Sequence, residues 1–135
     1  MKITGGCHCG AIRYEAQVDP QKVAICHCTD CQTLSGTAYR VVVPVHPGSF
    51  KLLSGEPKVY LKTAESGRQR SQAFCANCGT PIHSADPANT KQHSIRVGTV
   101  RERAQLVPKR QIWCRSAMSW AWGVGTLERI ETQDF

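Results

Sequence analysis

Seven of the eight cysteines fall into three clusters whose spacing is that of metal ligands. Cys75 and Cys78 stand in a C-x-x-C followed by Gly79, Cys7 and Cys9 in a C-x-C followed by Gly10, and Cys26, Cys28 and Cys31 in a C-x-C-x-x-C. Two residues between cysteines let both sulfurs point at one ion, and the glycine lets the chain turn tightly beneath it. In a strand-like conformation residues two apart face the same side, so Cys7 and Cys9 supply the other half of a tetrahedral set. Cys7, Cys9, Cys75 and Cys78 are therefore expected to form one four-thiolate site for zinc or a similar ion, joining the first strand to the middle of the chain.

The run Cys26-His27-Cys28-Thr29-Asp30-Cys31 offers three thiolates from six residues, which cap one face of a second ion. Structural zinc sites are closed by four protein ligands, whereas catalytic ones keep a position for water or substrate. Either that position is open here, or His27, Asp30, His83 or the lone Cys114 closes it. The same thiols could in principle pair as disulfides. Their crowding into tight turns suits a metal instead, and the start MKITGGCHCG lacks the apolar stretch of a secretory signal, so a reducing, cytoplasmic setting is expected.

The elements that must position these thiols read as short strands. Ile12, Tyr14, Ala16 and Val18 alternate with Arg13, Glu15 and Gln17, the pattern of a half-buried strand ended by Asp19-Pro20. Further strands are expected at 23–26, 38–43, 50–53, 58–62, 69–74, 94–100 and 111–114, several bounded by Pro47-Gly48, Ser54-Gly55 and Ser66-Gly67. No segment keeps a helical period for ten residues. A single helical turn is expected from Asp30 to Leu34, capped by Thr29 or Asp30 and stopped at Gly36, and 85–92 reads as a mobile loop. With 135 residues, 41% of them hydrophobic and 20% charged, the chain suits one ordinary globular domain of mostly antiparallel β structure with little helix. No apolar run is long enough to span a bilayer, which excludes a membrane-spanning helix.

The formal charge of +7 invites a nucleic-acid reading. It counts every cysteine as neutral, however, and seven thiolates against two divalent ions lower it by three. The basic residues are also scattered, so a solvated surface or an anionic small molecule suits them better than nucleic acid.

The chain resembles the glutathione-dependent formaldehyde-activating enzyme family, which includes the centromere protein V proteins. The resemblance is carried by GGCHCGAIRY near the start, CHCTDCQTLSGTAYR from Cys26, FCANCGTPI from Phe74, VGTV from Val97 and IWCRSAMSW from Ile112. It implies a single β-tent-like domain over residues 1–135 with two zinc ions. Cys7, Cys9, Cys75 and Cys78 would hold the structural ion, and Cys26, Cys28 and Cys31 the catalytic one. It further implies a carbon-sulfur lyase acting on a glutathione–formaldehyde adduct of the S-hydroxymethylglutathione type. Gln32 stands where many relatives place a basic residue, which removes a charge that would meet a glutathione carboxylate.

An ion held by three thiolates carries a formal negative charge, so a pocket that accepts a fourth thiolate needs cations nearby. Arg40, Arg68 and Arg70 are the candidates, on strands flanking the ligand runs. His27 and Asp30 are candidates for a proton shuttle, with a plain hydrogen-bonding role and a helix cap as their alternatives. Cys114 is expected as a small core side chain on the last strand, and Trp113, Trp120 and Trp122 as the lid of the β core. The rival reading is a non-enzymatic zinc module that binds protein or nucleic acid through its basic surface. The oligomeric state is left open.

Overall fold

The computed structural model describes residues 1–133 and is mostly β, with ten strands in two sheets. The strands are β1 (Lys2–Gly6), β2 (Arg13–Gln17), β3 (Ala24–Cys26), β4 (Arg40–Pro44), β5 (Lys51–Ser54), β6 (Lys58–Thr63), β7 (Gln69–Phe74), β8 (Pro81–Asp86), β9 (Asn89–Arg96) and β10 (Arg110–Ile112). One α-helix, α1 (Thr29–Ser35), follows β3, and short 3-10 segments fill several connections. A three-stranded sheet runs β1-β2-β5, and a seven-stranded sheet runs β10-β3-β4-β9-β8-β7-β6. The alternation predicted for the second strand is present: Ile12, Tyr14, Ala16 and Val18 are all buried.

The core lies where the small sheet meets one face of the large one. Ile3, Tyr14 and Ala16 from the small sheet share a cluster with Val43, Ile82 and Ile95 from the large one. Fully burying an aliphatic side chain of this size contributes about 1.5–3 kcal/mol, so this cluster is the main cohesive element. Tyr14 is fully buried, and its hydroxyl meets the Thr99 hydroxyl at 2.7 Å. Its ring fixes a neighbour too, because a Cβ on Gly5 would lie 2.4 Å from it. Single bridges tie β1 to the segment after β9 (Gly5 to Val100) and the end of β2 to the end of β4 (Val18 to Val45).

Register across the large sheet assigns its two faces different work. Val43, Ile95, His83 and Ala73 stand opposite one another on successive strands and are all buried. The alternate residues form the other face: Cys26 is paired with Arg40, Val42 with Arg96, Ser94 with Ser84, and Ser84 with Gln72. Since side chains alternate across a strand, the first row feeds the core and the second is left to build a site.

The structure departs from the sequence reading in several places. The pairing of β10 with β3 is parallel, while every other pairing is antiparallel. Residues 85–92 are no loop: β8 and β9 form a hairpin there, turning at Pro87 and Ala88. The strand expected over 94–100 ends at Arg96 and continues as a 3-10 turn. Ser119–Thr126 forms a 3-10 segment with Trp120 and Trp122 exposed, so neither tryptophan covers the core. Cys114 opens a 3-10 turn and is exposed, a correction to its expected place in the core.

Candidate metal centres and the cationic pocket

The four-thiol group is assembled by two turns from distant parts of the chain. Cys7 follows β1 in a turn rather than a strand, where Gly10 donates to the Cys7 carbonyl at 3.2 Å and Cys7 donates to Ile12 at 3.1 Å. Cys75 follows β7 in a second turn closed by Gly79 donating to the Cys75 carbonyl at 2.8 Å, with Gly79 at φ 79°. Such a φ favours glycine, as the spacing predicted. The four sulfurs lie within 4.8 Å of one another, with Cys7 to Cys9 at 3.6 Å and Cys9 to Cys75 at 3.8 Å. Tetrahedral zinc with bonds of about 2.3 Å to sulfur requires sulfurs about 3.8 Å apart, so this donor set fits the ion. Backbone and hydroxyl donors already face it. The Ile12 N–H reaches Cys7 Sγ at 3.2 Å, and the Thr80 hydroxyl lies 3.1 Å from Cys78 Sγ, which with backbone donors holds the Cys78 thiol down at about 5.

The three-thiol group is local. Cys26 ends β3, Cys28 caps α1 by accepting the Cys31 N–H at 3.3 Å, and Cys31 sits in the first turn. The cap is thus Cys28, not Thr29 or Asp30, and the helix stops at Gly36 in the left-handed conformation as expected. The three sulfurs lie within 4.8 Å of one another, and among the described residues no histidine, carboxylate or further thiol joins them. Hydrogen bonds from the Cys26 and Cys31 thiols pull Cys28 far below the ordinary thiol range, and the same bonds push Cys26 up.

A cavity of about 280 Å³ opens beside these three thiols, lined by Arg40, Lys62, Arg68, Arg70 and Arg96 against the carboxylates Asp30 and Glu65. Lys62 is paired with Asp30. Arg68 is largely exposed at the rim and lies 3.4 Å from Asp86, while Arg70 donates to the Ser84 hydroxyl at 3.4 Å. Deeper in, Gln72 Oε1 accepts from Arg40 Nη1 at 3.2 Å and from Arg96 Nη2 at 2.6 Å. Burial and then the Arg40 charge press the Arg96 guanidinium down to about 9. Trp113 lines the cavity with its backbone at φ 56°, and the Arg115 guanidinium lies 5.0 Å from its ring centre. A bulky residue in that region costs about 1–2 kcal/mol, a strain that the surrounding contacts must hold.

The family described as "Glutathione-dependent formaldehyde-activating enzyme" matches residues 2–116 of this sequence. The chain belongs to that family. A solved structure described as "Crystal structure of Rhodobacter sphaeroides protein", a structural-genomics target, is similar in fold, with a TM-score of 0.61 at 18% identity. The likeness covers 80% of this chain and 98% of that one, and at such identity it bears on the fold alone.

Within this formaldehyde-activating-enzyme-family chain, the cations expected at Arg40, Arg68 and Arg70 do share one cavity with the three thiols. His27 lies apart. It is fully buried between Tyr39 and Trp122, with its Nε2 2.8 Å from Gln111 Oε1. Asp30 faces Lys62 and does not cap the helix. Gln32 donates to the carbonyls of His27 at 2.8 Å and Ser116 at 2.9 Å, binding the helix to the 3-10 turn at Cys114–Ser116. Lys62, Gln72 and Arg96 are not singled out by the sequence, and Trp113, expected as part of a lid over the core, instead lines this cavity. A signal existed for Gln72, which continues the i, i+2 row of Arg68 and Arg70, and for Arg96, the lone charge in the expected strand 94–100.

Proposed function

We propose that this chain acts as a single domain, residues 1–135, that is a zinc-dependent carbon-sulfur lyase-like enzyme. It would form or cleave the thiol adduct of a small electrophile, of the S-hydroxymethylglutathione type. The observation that carries this reading is the asymmetry of the second thiol group: three sulfurs at one end of a cavity whose walls are cationic. In the forward direction the thiol sulfur bonds to the carbonyl carbon and the thiol proton passes to the carbonyl oxygen. Reversal breaks the same carbon-sulfur bond and returns the proton.

The residues fit the metal that the family implies, because thiolates at this spacing are the donors zinc prefers. Zinc bound by Cys26, Cys28 and Cys31 would supply a position that favours a substrate thiol in its thiolate form. The chain's own residues do the rest. Arg40, Arg70 and Arg96 set a positive potential that favours an anionic thiol over a neutral one. Arg68 extends that potential to the rim. Trp113 and Leu34 give the cavity apolar wall, which limits water around the reacting atoms. Cys7, Cys9, Cys75 and Cys78 would hold the second, structural zinc.

The test is exchange spectroscopy of formaldehyde and glutathione at equilibrium with S-hydroxymethylglutathione, with and without the purified protein. Acceleration of exchange that disappears in Cys28→Ser supports the reading. Exchange at the uncatalysed rate, with salt-dependent retention on DNA, favours a non-enzymatic zinc module instead.

A further inference from the structure

Arg40 combines burial with unused hydrogen-bonding capacity. It is 6% exposed, and its Nε and Nη2 have no hydrogen-bond partner among the described residues, sulfurs included. Its third nitrogen, Nη1, is occupied by Gln72. The two free donors are not an arbitrary pair. Nε–H and the Nη2–H on the same side form the parallel fork by which a guanidinium grips two oxygens of one planar group. Gln72 anchors the opposite edge of the guanidinium and, by accepting from Arg96 as well, holds two like charges beside each other in a buried place. An unpaired buried charge is costly, and two of one sign more so. An anion seated on the fork removes both costs.

The position of the fork fixes what else the anion's molecule meets. Arg40 stands directly across from Cys26 in the β3–β4 pairing, and cross-strand neighbours have Cβ atoms about 5 Å apart. Both residues line the same cavity. A molecule on the fork therefore reaches the three-thiol group with only a short carbon chain between its anionic group and its reacting atom.

We propose that the Nε/Nη2 fork of Arg40, set by Gln72 and flanked by Arg96, is a carboxylate subsite that selects substrates carrying a carboxylate a few bonds from the reacting centre. The inference rests on the thiol-adduct reading of the same cavity and names its substrate class. The carboxylate belongs either to the thiol or to the electrophile, and formaldehyde itself has none. Arg40→Lys keeps the charge and loses the fork, so it separates recognition of a planar group from simple attraction.

The experiment is calorimetric titration of the zinc-loaded protein with two matched pairs: 3-mercaptopropionate against 3-mercaptopropionamide, and glyoxylate against glyoxylamide. A carboxylate preference of about tenfold or more in one pair is expected, as charge-assisted bidentate bonds give. Preference within the thiol pair assigns the carboxylate to the thiol, and preference within the aldehyde pair assigns it to the electrophile. Arg40→Lys should abolish the preference. Equal binding of acid and amide in both pairs by the unmodified protein overturns the proposal, with no variant needed. So does tighter binding of inorganic phosphate than of either acid. Retained carboxylate preference without accelerated carbon-sulfur exchange would overturn the lyase reading and leave the subsite. Exchange accelerated equally for the acid and the amide of both pairs would overturn the subsite and leave the lyase.

Discussion

The two thiol groups are built from the same side chain and differ in what surrounds them. Cys7, Cys9, Cys75 and Cys78 come from turns about seventy residues apart in sequence, complete a tetrahedral set by themselves and are met by short-range backbone and hydroxyl donors. Cys26, Cys28 and Cys31 come from one strand end and the first turn of one helix, stop at three sulfurs and face a cavity rich in guanidinium groups. A closed set spanning the chain contributes to folding. An open set that spans six residues holds little of the fold together, and its surroundings are a cavity walled by cations.

The sharpest way to break this comparison is to remove one thiol from each group. Cys75→Ser should leave a chain that misfolds or aggregates, because structural zinc in small modules contributes on the order of 10 kcal/mol to folding. Cys28→Ser should melt within a few degrees of the unmodified protein while carbon-sulfur exchange falls to the uncatalysed rate. Matched thermal melts in which both variants lose the same stability would contradict the division.

Metal removal gives the next largest effect. Two equivalents of zinc are expected per chain, and a chelator titration should extract the ion at Cys26, Cys28 and Cys31 first, since it lacks a fourth protein thiolate. Circular dichroism should hold steady through loss of the first equivalent and collapse with the second.

Acid challenges the whole fold and would blur that distinction. His83 is buried between Phe50 and His93, and burial first, with the His93 and Arg96 charges adding, holds it down at about 3. Between its ordinary 6.5 and about 3, the unfolded chain takes up a proton that the folded one refuses. Stability is therefore present above pH 6.5 and is lost as pH falls through that window. His83→Phe, if it folds, should flatten the acid limb of a stability profile, whereas an unchanged limb would remove His83 as its cause.

The smallest effect is at a turn. Gly79→Ala meets no atom within 4 Å, so it strains only the backbone, by about 1–2 kcal/mol. That loss should appear in melts and leave the cationic cavity unaffected.

Local patterns in the sequence predicted the features that depend on neighbours along the chain. The alternation from Ile12 to Val18, the cysteine spacings, the stop of the helix at Gly36 and the glycine under Cys75 all lie in runs of a few residues. What depends on register was hidden. The row that joins Cys26, Arg40, Arg96, Ser84 and Gln72 exists only once β3, β4, β9, β8 and β7 are laid side by side. The β8–β9 hairpin is hidden in the sequence because its tip, Asp86 to Gln92, is mostly polar and lacks the apolar alternation that marks a strand. The cap at Cys28 is hidden because the spacing of the cysteines marks that thiol as a ligand. In the structure its Sγ accepts the Cys31 N–H, so the helix start and the thiol group are one local arrangement.

The central claim, one closed and one open thiolate site, is tested most directly by counting sulfurs at the zinc edge in the X-ray absorption spectrum of fully loaded protein. The account predicts an average between three and four sulfurs per zinc, rising to four when a thiol such as 3-mercaptopropionate is added. An average of four before any thiol is added, or one that added thiol does not raise, would contradict it.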